Sequence, residues 1–520
     1  MDFLSLPTVM LVASALVLVY NIWRIMNKTS EKQLQAPELP GAFPLIGHLH
    51  LLGTKTPLAR TFASFSDKYG PIFRIRLGSY PAIVISNKDG IKECFTINDK
   101  ALASRPKSSQ GVYIGYNYAG FGFAPYGSFF IKHKKLATLE LLSSRRVELS
   151  RYVYESEIDT LIKDLLLYSA ENSPVKVVVI SEWLERLSFN IITKMIAGKK
   201  YFSFLQDVDD VEAHRVVKLI REALHLSGGG FVPSDVIPII QWFGIEGKVL
   251  KSMKRIAKDL DTLLGSWVEE HRMKGNKVNS SSEKQDFIDV MLSVVEDDPD
   301  SGHTRDTIIK AQIMGILLAG TDTTSSTMIW MLALLLKNKH ALKRAQEEIN
   351  VHVGSLRKVE AYDMKNLVYL QAIFKETLRL YPGGPLLLPH EAREDCYING
   401  YYVPKGTRVF GNVWKLHRDP SIWSEPEKFS PERFINGNGE VDEDHHFEYL
   451  PFGLGRRVCP GTSLATQVSL ITLARFLQAF HFHSPMDEPL DMREGLGLTL
   501  PKLTPLKIIL SPQVSCELYP

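Results

Sequence analysis

The chain has 520 residues, 45% of them hydrophobic and 23% charged, with a formal net charge of +3. That length allows two or three domains or one large mixed one, and so balanced a charge gives no footprint of a nucleic-acid binder. Its four cysteines, Cys94, Cys396, Cys459 and Cys516, show no Cys-x-x-Cys spacing, which argues against a disulfide framework and a zinc cluster. A reducing compartment around the catalytic part follows.

In chain order, residues 3–26 form a nearly uncharged apolar run, long enough to span a bilayer. Asp2 precedes it, and Arg24, Lys28 and Lys32 flank its end, so positive-inside bias predicts a lumenal N-terminus with the remaining chain in the cytosol. A cleaved signal peptide is the alternative, but the run lacks a basic n-region and a clear small-residue cleavage site. Residues 1–26 are therefore expected to be a transmembrane anchor, 27–44 a basic and proline-rich hinge, and 45–520 the catalytic domain. Within the hinge, Pro37, Pro40 and Pro44 preclude a helix and predict a stiff spacer.

The period of residues 58–69 predicts an amphipathic helix. Residues 73–77 and 82–86 predict strands joined through Gly78-Ser79-Tyr80-Pro81. Residues 107–127 carry Tyr113, Tyr116, Tyr118, Phe121, Phe123 and Tyr126 among glycines, a pattern that suits either core packing or an adaptable apolar ligand wall. Residues 152–268 are mostly helical in period, broken at 226–233 by a glycine run that reads as a lid or a membrane-dipping segment. The polar stretch 274–284 reads as an exposed loop.

A second apolar run covers 307–336, but seven consecutive polar residues from Thr321 to Thr327 interrupt it. Polar groups at mid-span are costly in lipid, so a long buried core helix is predicted. Residues 369–381 read as a helix with Glu376 and Arg379 on one face, spaced to pair. The stretch 403–407 reads as a strand entering a turn, and His445 and His446 as solvated side chains in an acidic loop. Residues 495–510 are predicted to form paired strands with Leu498-Thr499 at the tip. No internal repeat or nucleotide-binding glycine loop is visible, so the chain is not expected to bind flavin or nicotinamide itself.

The stretch Phe452-Gly453-Leu454-Gly455-Arg456-Arg457-Val458-Cys459-Pro460-Gly461 spells Phe-x-x-Gly-x-Arg-x-Cys-x-Gly and is followed by a helical run from Thr462. A cysteine on a glycine loop that opens a helix is expected to have a lowered thiol pKa, and thiolate is an axial ligand for haem iron. Arg457 can neutralise a buried carboxylate of such a cofactor. Ala319-Gly320-Thr321-Asp322-Thr323 adds small residues beside a hydroxyl and a carboxylate on the core helix, a pairing able to pass protons.

Together these motifs resemble those of the cytochrome P-450 family, the haem-thiolate monooxygenases, in the style of its plant membrane-bound members, from about Pro40 to Pro505. The resemblance implies a mainly α fold with a smaller β region. Haem b would lie between the Thr323 helix and the Cys459 loop, with Cys459 as axial ligand and Phe452, Gly461 and Ala319 beside the ring. It implies that Arg105, Lys134, His390 and Arg457 hold the haem carboxylates, and that Asp322 and Thr323 deliver protons. Glu376, Arg379 and Arg433 (in Phe429-Ser430-Pro431-Glu432-Arg433-Phe434) would form a structural network. Tyr113, Tyr116, Phe121, Met314, Leu387, Leu498 and Thr499 would line the substrate pocket.

One stretch departs from the family's Trp-Arg-x-x-x-Arg-like pattern. Here Phe130, Ile131 and Lys134 stand in its place, so one N–H donor and one bidentate grip are lost. The basic cluster at 132–135, with Arg145 and Arg146, is either a solvated face or a dock for an acidic electron donor. The implied activity is oxidation of an apolar plant metabolite (terpenoid, flavonoid or alkaloid) with electrons from NADPH through a separate reductase. The implied location is the endoplasmic reticulum membrane. A dehydratase or isomerase on the same fold, or a haem-binding protein, is the alternative.

Overall fold

The computed structural model describes residues 14, 20, 33–53, 55–170, 177–203, 211–228, 232–242, 247–275, 285–485 and 489–519. All of the expected anchor but residues 14 and 20, the centre of the glycine run and most of the 274–284 loop lie outside these residues. Among the described residues, no helix is long and apolar enough to cross a membrane.

Helix α1 (Leu58–Tyr69) buries Ala59, Phe62, Ala63 and Ser66, the one-face spacing that its sequence predicts. It packs on a sheet begun by β1 (Ile72–Leu77) and β2 (Tyr80–Ile85). These strands pair antiparallel, with Leu77 opposite Tyr80, so the turn is only Gly78-Ser79 and not the longer one predicted. Gly78 has φ +61°, and a Cβ there would collide with the Val236 carbonyl, so the tight turn depends on glycine.

The proline-rich segment is already part of this sheet's edge. Leu39 N–H donates to Arg74 O at 2.9 Å, Arg74 N–H donates to Pro37 O at 2.7 Å, and Ala36 and Leu39 are buried. Leu34 O also accepts from Tyr402 N–H at 2.7 Å, so any free spacer precedes Leu34.

Helix α2 (Ser128–Ala137) leads towards α3 (Arg151–Ala170), strand β3 (Val177–Val179) and α4 (Ile180–Ala197). Helix α5 (Lys248–Gly275) and the 33-residue α6 (Arg305–Lys337) follow, with α6 crossing the molecule against α4. Thr304 caps α6 by accepting from Thr307 N–H, and Asp306 and Lys337 sit at the ends that the helix dipole favours. Its polar stretch stays buried because Thr321, Ser325 and Thr327 each donate to a carbonyl four residues earlier, at 2.8, 3.0 and 2.8 Å.

Helix α7 (Val368–Leu380) is followed by β4 (His390–Glu391) and β5 (Arg408–Gly411), which complete the first sheet in the order β1-β2-β5-β4. Helix α8 (Thr462–Ala479) packs under α6 and runs into β6 (Phe480–His483), which pairs with β7 (Lys507–Pro512). The other neighbour of β7 is β3, more than three hundred residues earlier.

This corrects the paired strands predicted over 495–510. Only a Glu494–Lys502 bridge closes that loop, through Gly495 N–H on Pro501 O at 2.6 Å and Leu503 N–H on Arg493 O at 2.9 Å. Pro501 and Pro505 lack the N–H groups that a continuing ladder needs. The fold is thus a mainly helical body around α6 with a smaller β region.

Candidate functional site

The loop before α8 is shaped by close contacts. Cys459 N–H donates to Phe452 O at 2.9 Å, and Thr462 Oγ1 donates to Cys459 O at 3.0 Å. Gly453 and Gly455 have φ of +70° and +69°, and a Cβ on Gly455 would overlap the Asp99 carboxylate that accepts from Arg456 N–H at 3.0 Å. From α2, Lys134 Nζ donates to the carbonyls of Arg456 and Val458, both at 2.8 Å, bracing the residues on either side of Arg457.

Cys459 is exposed as a residue, yet the protein around its sulfur desolvates the thiol. This enclosure pushes its thiol above the ordinary range, while the Gly461 N–H and the Lys134 charge oppose the shift. The lowered thiol pKa predicted from the helix terminus is therefore corrected, because desolvation outweighs the dipole. Cys94 and Cys396 are buried in the sheet-side core, and burial pushes the Cys396 thiol up to about 11.

Beside this loop the structure collects cations. Arg457 donates through Nε to Ala103 O at 2.6 Å, Nη1 to Phe121 O at 3.0 Å and Nη2 to Ala124 O at 2.5 Å. Its guanidinium carbon lies 3.8 Å from the centroid of Phe130. Arg105 Nη1 donates to Leu388 O and Pro389 O at 3.0 and 2.9 Å, while its buried Nε has no partner. His390 Nδ1 lies 2.7 Å from Leu102 O.

Burial, then mutual repulsion, lowers the affinity of this cluster for protons. Burial takes Arg105 to about 10, and burial plus the Arg105 charge take Arg457 to about 8. Lys134 falls to about 8 through burial and Arg457, and His390 to about 3 through burial and Arg105. Among the described residues, no carboxylate forms an ion pair with Arg105, Lys134 or Arg457. Half-buried cations without counter-charges fit a ligand that brings carboxylates, as haem does.

Midway along α6, Ala319 is exposed although Leu318 and Thr321 are buried. Thr323 Oγ1 donates to Ala319 O at 2.6 Å. The segment after α7 touches both faces: a Cβ on Gly383 would lie 3.8 Å from Thr323 Cβ, and one on Gly453 3.8 Å from Leu387 Cδ2. Asp322 Oδ2 accepts from Thr499 Oγ1 at 2.6 Å. Burial pushes the Asp322 carboxyl up, and the Thr499 bond opposes it.

The expected pocket residues divide. Leu498 is exposed at the hairpin tip, and Thr499 is buried against Asp322. Tyr113 and Tyr116 are half-buried beneath the ammonium groups of Lys254 and Lys310, at 5.4 and 5.6 Å. Phe121 is half-buried, with its N–H on Gln312 Oε1 at 3.5 Å. Met314 is 1% exposed inside the main core. Tyr118 folds back, its hydroxyl accepting from Ser108 N–H and donating to Ser108 O.

Behind the loop, Glu376 and Arg379 are fully buried and joined by two bonds, at 2.6 and 2.8 Å. Arg433 Nε reaches Glu376 Oε1 at 3.2 Å, and Ser430 N–H donates to the same oxygen at 2.9 Å. Arg379 Nη1 donates to His417 O and Pro426 O at 2.6 and 2.7 Å. His417 then accepts from Leu450 N–H through Nε2 at 2.9 Å, linking the network to the start of the cysteine loop. His417 escaped the sequence reading, since nothing local marks a histidine whose partners lie over thirty residues away on both sides. His445 packs on the rings of Trp423 and Phe434, at 5.0 and 5.1 Å, so of the adjacent histidines only His446 is exposed.

The family model described as Cytochrome P450 matches residues 37–508. The chain belongs to the cytochrome P450 family. It is 65% identical to cytochrome P450 CYP82J17 of Trigonella foenum-graecum, covering 100% of this chain and 99% of that one. It is 46% identical to xanthotoxin 5-hydroxylase CYP82C4 of Arabidopsis thaliana, covering 97% and 98%. Nicotine N-demethylase CYP82E3 of Nicotiana tomentosiformis is 45% identical, covering 96% and 97%. Members of this P450 family are monooxygenases that use haem with a cysteine thiolate ligand.

Proposed function

We propose that this P450 inserts one atom of dioxygen into an apolar small molecule of plant specialised metabolism, with Cys459 as the haem ligand. Electrons come from NADPH through a separate membrane reductase, and residues 1–26 anchor the enzyme in the endoplasmic reticulum with the catalytic domain in the cytosol. The observation that carries this reading is the placing of four cationic or basic side chains, without carboxylate partners, beside a thiol on a glycine loop.

Haem held by the thiolate supplies dioxygen binding and its reductive cleavage. Arg105, Lys134, His390 and Arg457 bind its carboxylates. The exposed Ala319 leaves room for a flat ring beside α6. Thr323 Oγ1, already donating to Ala319 O, keeps its lone pairs for orienting a water, and Asp322 supplies that water with protons. The relatives' action on xanthotoxin and nicotine supports nitrogenous or oxygenated aromatic substrates.

Microsomes carrying the chain and a reductase, given a plant metabolite extract with xanthotoxin and nicotine included, are expected to give NADPH-dependent mass shifts. Cys459→His is expected to abolish them along with the thiolate-type Soret band of the reduced carbon monoxide complex. A variant that keeps that band overturns the ligand assignment. Thr323→Ala is expected to keep haem but lower product per NADPH, by about ten-fold or more for an acid–base group.

A further inference from the structure

We propose that Thr499 is a positioning residue: its hydroxyl latches the Asp322 carboxylate to the 494–502 hairpin, so the placing of a pocket loop sets the orientation and proton affinity of that carboxylate. The significance for turnover rests on the reading of Asp322 as a proton donor; the latch itself rests on geometry.

The hydroxyl hydrogen of Thr499 points to Asp322 Oδ2 at 2.6 Å, between residues 177 positions apart in sequence. Thr499 is buried, so water does not compete freely for either partner. The hairpin that carries it is held at its root and its far side. Glu494 accepts from Trp414 Nε1 at 3.1 Å and from Arg60 Nε at 2.5 Å. The indole of Trp330, two turns along α6 from Asp322, donates to Leu500 O at 3.0 Å. Leu500 has φ +50°, a left-handed conformation that a leucine holds only where its surroundings impose it. Trp330 is itself fixed by stacking on Tyr381, with centroids 3.6 Å apart and planes 7° apart. One long helix thus grips the hairpin through Trp330 and is gripped in return at Asp322. Leu498, the exposed neighbour of Thr499, is the part of the tip that a ligand would touch.

The charged groups facing Asp322 are few. Thr499 faces it from the hairpin, and α6 adds no second ionisable side chain near it. From α4, Glu185 feels the Asp322 charge, pairs with Arg221 at 2.5 Å, and has the exposed Glu182 one turn away. A hydroxyl donating to a carboxylate favours its charged form. Removing it raises the pH at which the proton leaves.

The test uses the haem-loaded full chain as wild type, Thr499→Val, Thr499→Ser and Asp322→Asn. The infrared difference between wild type and Asp322→Asn isolates the protonated Asp322 carboxyl band, which is followed against pH. In Thr499→Val the band is expected to persist about one pH unit higher, the size of one charge-assisted hydrogen bond. Thr499→Ser is expected to titrate as wild type. Amides at 495–503 are expected to exchange hydrogen faster in the valine variant alone. An unchanged titration in Thr499→Val, or a serine variant that behaves as the valine one, overturns the latch. The band reads Asp322 independently of turnover. A full shift beside undiminished product per NADPH in Asp322→Asn would therefore fail the proton-donor reading and leave the latch standing.

Discussion

Two groups of charge, one buried and one half-buried, flank the cysteine loop, and they are built on opposite terms. Behind it, Glu376, Arg379 and Arg433 satisfy one another and the surrounding carbonyls, so the charges are buried with their partners. Beside it, Arg105, Lys134, Arg457 and His390 meet carbonyls, an aromatic ring and one another. A satisfied network holds a shape by itself. An unsatisfied one stores repulsion that an incoming anion relieves, which separates the scaffold of the loop from its receptor side.

The sharpest way to break this contrast is Glu376→Gln, which leaves the fully buried Arg379 without its counter-charge. Loss of one partner of a buried pair costs about 3–5 kcal/mol, so a marked drop in thermal midpoint and in carbon monoxide-binding haem is expected.

Acid gives the next effect and separates the two histidines. Burial and the Arg379 charge hold His417 down to about 3, below the unfolded value near 6.5. The unfolded state therefore binds the proton first, and stability falls as pH drops from 6.5 towards 3, by about 1.4 kcal/mol per unit. Denaturant midpoints should show this slope, and His417→Gln should flatten it. His390, also held near 3, should lose its share of the slope once haem carboxylates face it.

On the receptor side, Arg105→Met is expected to speed haem transfer to an apo-globin acceptor about tenfold or more, the loss of a charge-assisted hydrogen bond. The haem-free chain should change less in stability, because the lost bonds to the Leu388 and Pro389 carbonyls are offset by relief of the repulsion between Arg105 and Arg457. The smallest change, Lys134→Arg, restores a planar fork and should slow haem transfer by roughly fivefold, about 1 kcal/mol. Equal sensitivity of haem-loaded and haem-free chains to Arg105→Met would erase the distinction between the two regions.

Local pattern carried much of this fold. Helix α1 begins and ends where its apolar period does, and α6 overruns its predicted span by only two residues at the start and one at the end. The cysteine loop was legible because its glycines, arginine and cysteine lie within ten residues. What the sequence hid was non-local. Strand β7 finds its partners in β3 and β6 rather than in the stretch just before it, and prolines at 501 and 505 were the available warning. The Thr499–Asp322 contact spans two segments whose meeting no periodicity encodes. The thiol of Cys459 was misjudged for a related reason: helix termini are visible in sequence, whereas enclosure is not.

The edge segment at 36–39 bears on where this chain can be shortened. A chain shortened to begin at residue 45 would strip Glu38 from Arg76, which it meets at 2.8 Å, and remove the Leu39 carbonyl that lies 2.6 Å from His48 Nε2. It would also uncover the side of β1 that Ala36 and Leu39 close. The docked segment therefore reaches back through Gln35, whose side chain also bonds Arg74, to Leu34, whose carbonyl accepts from Tyr402 N–H, and a trimmed form meant for crystals should keep every residue from there onward.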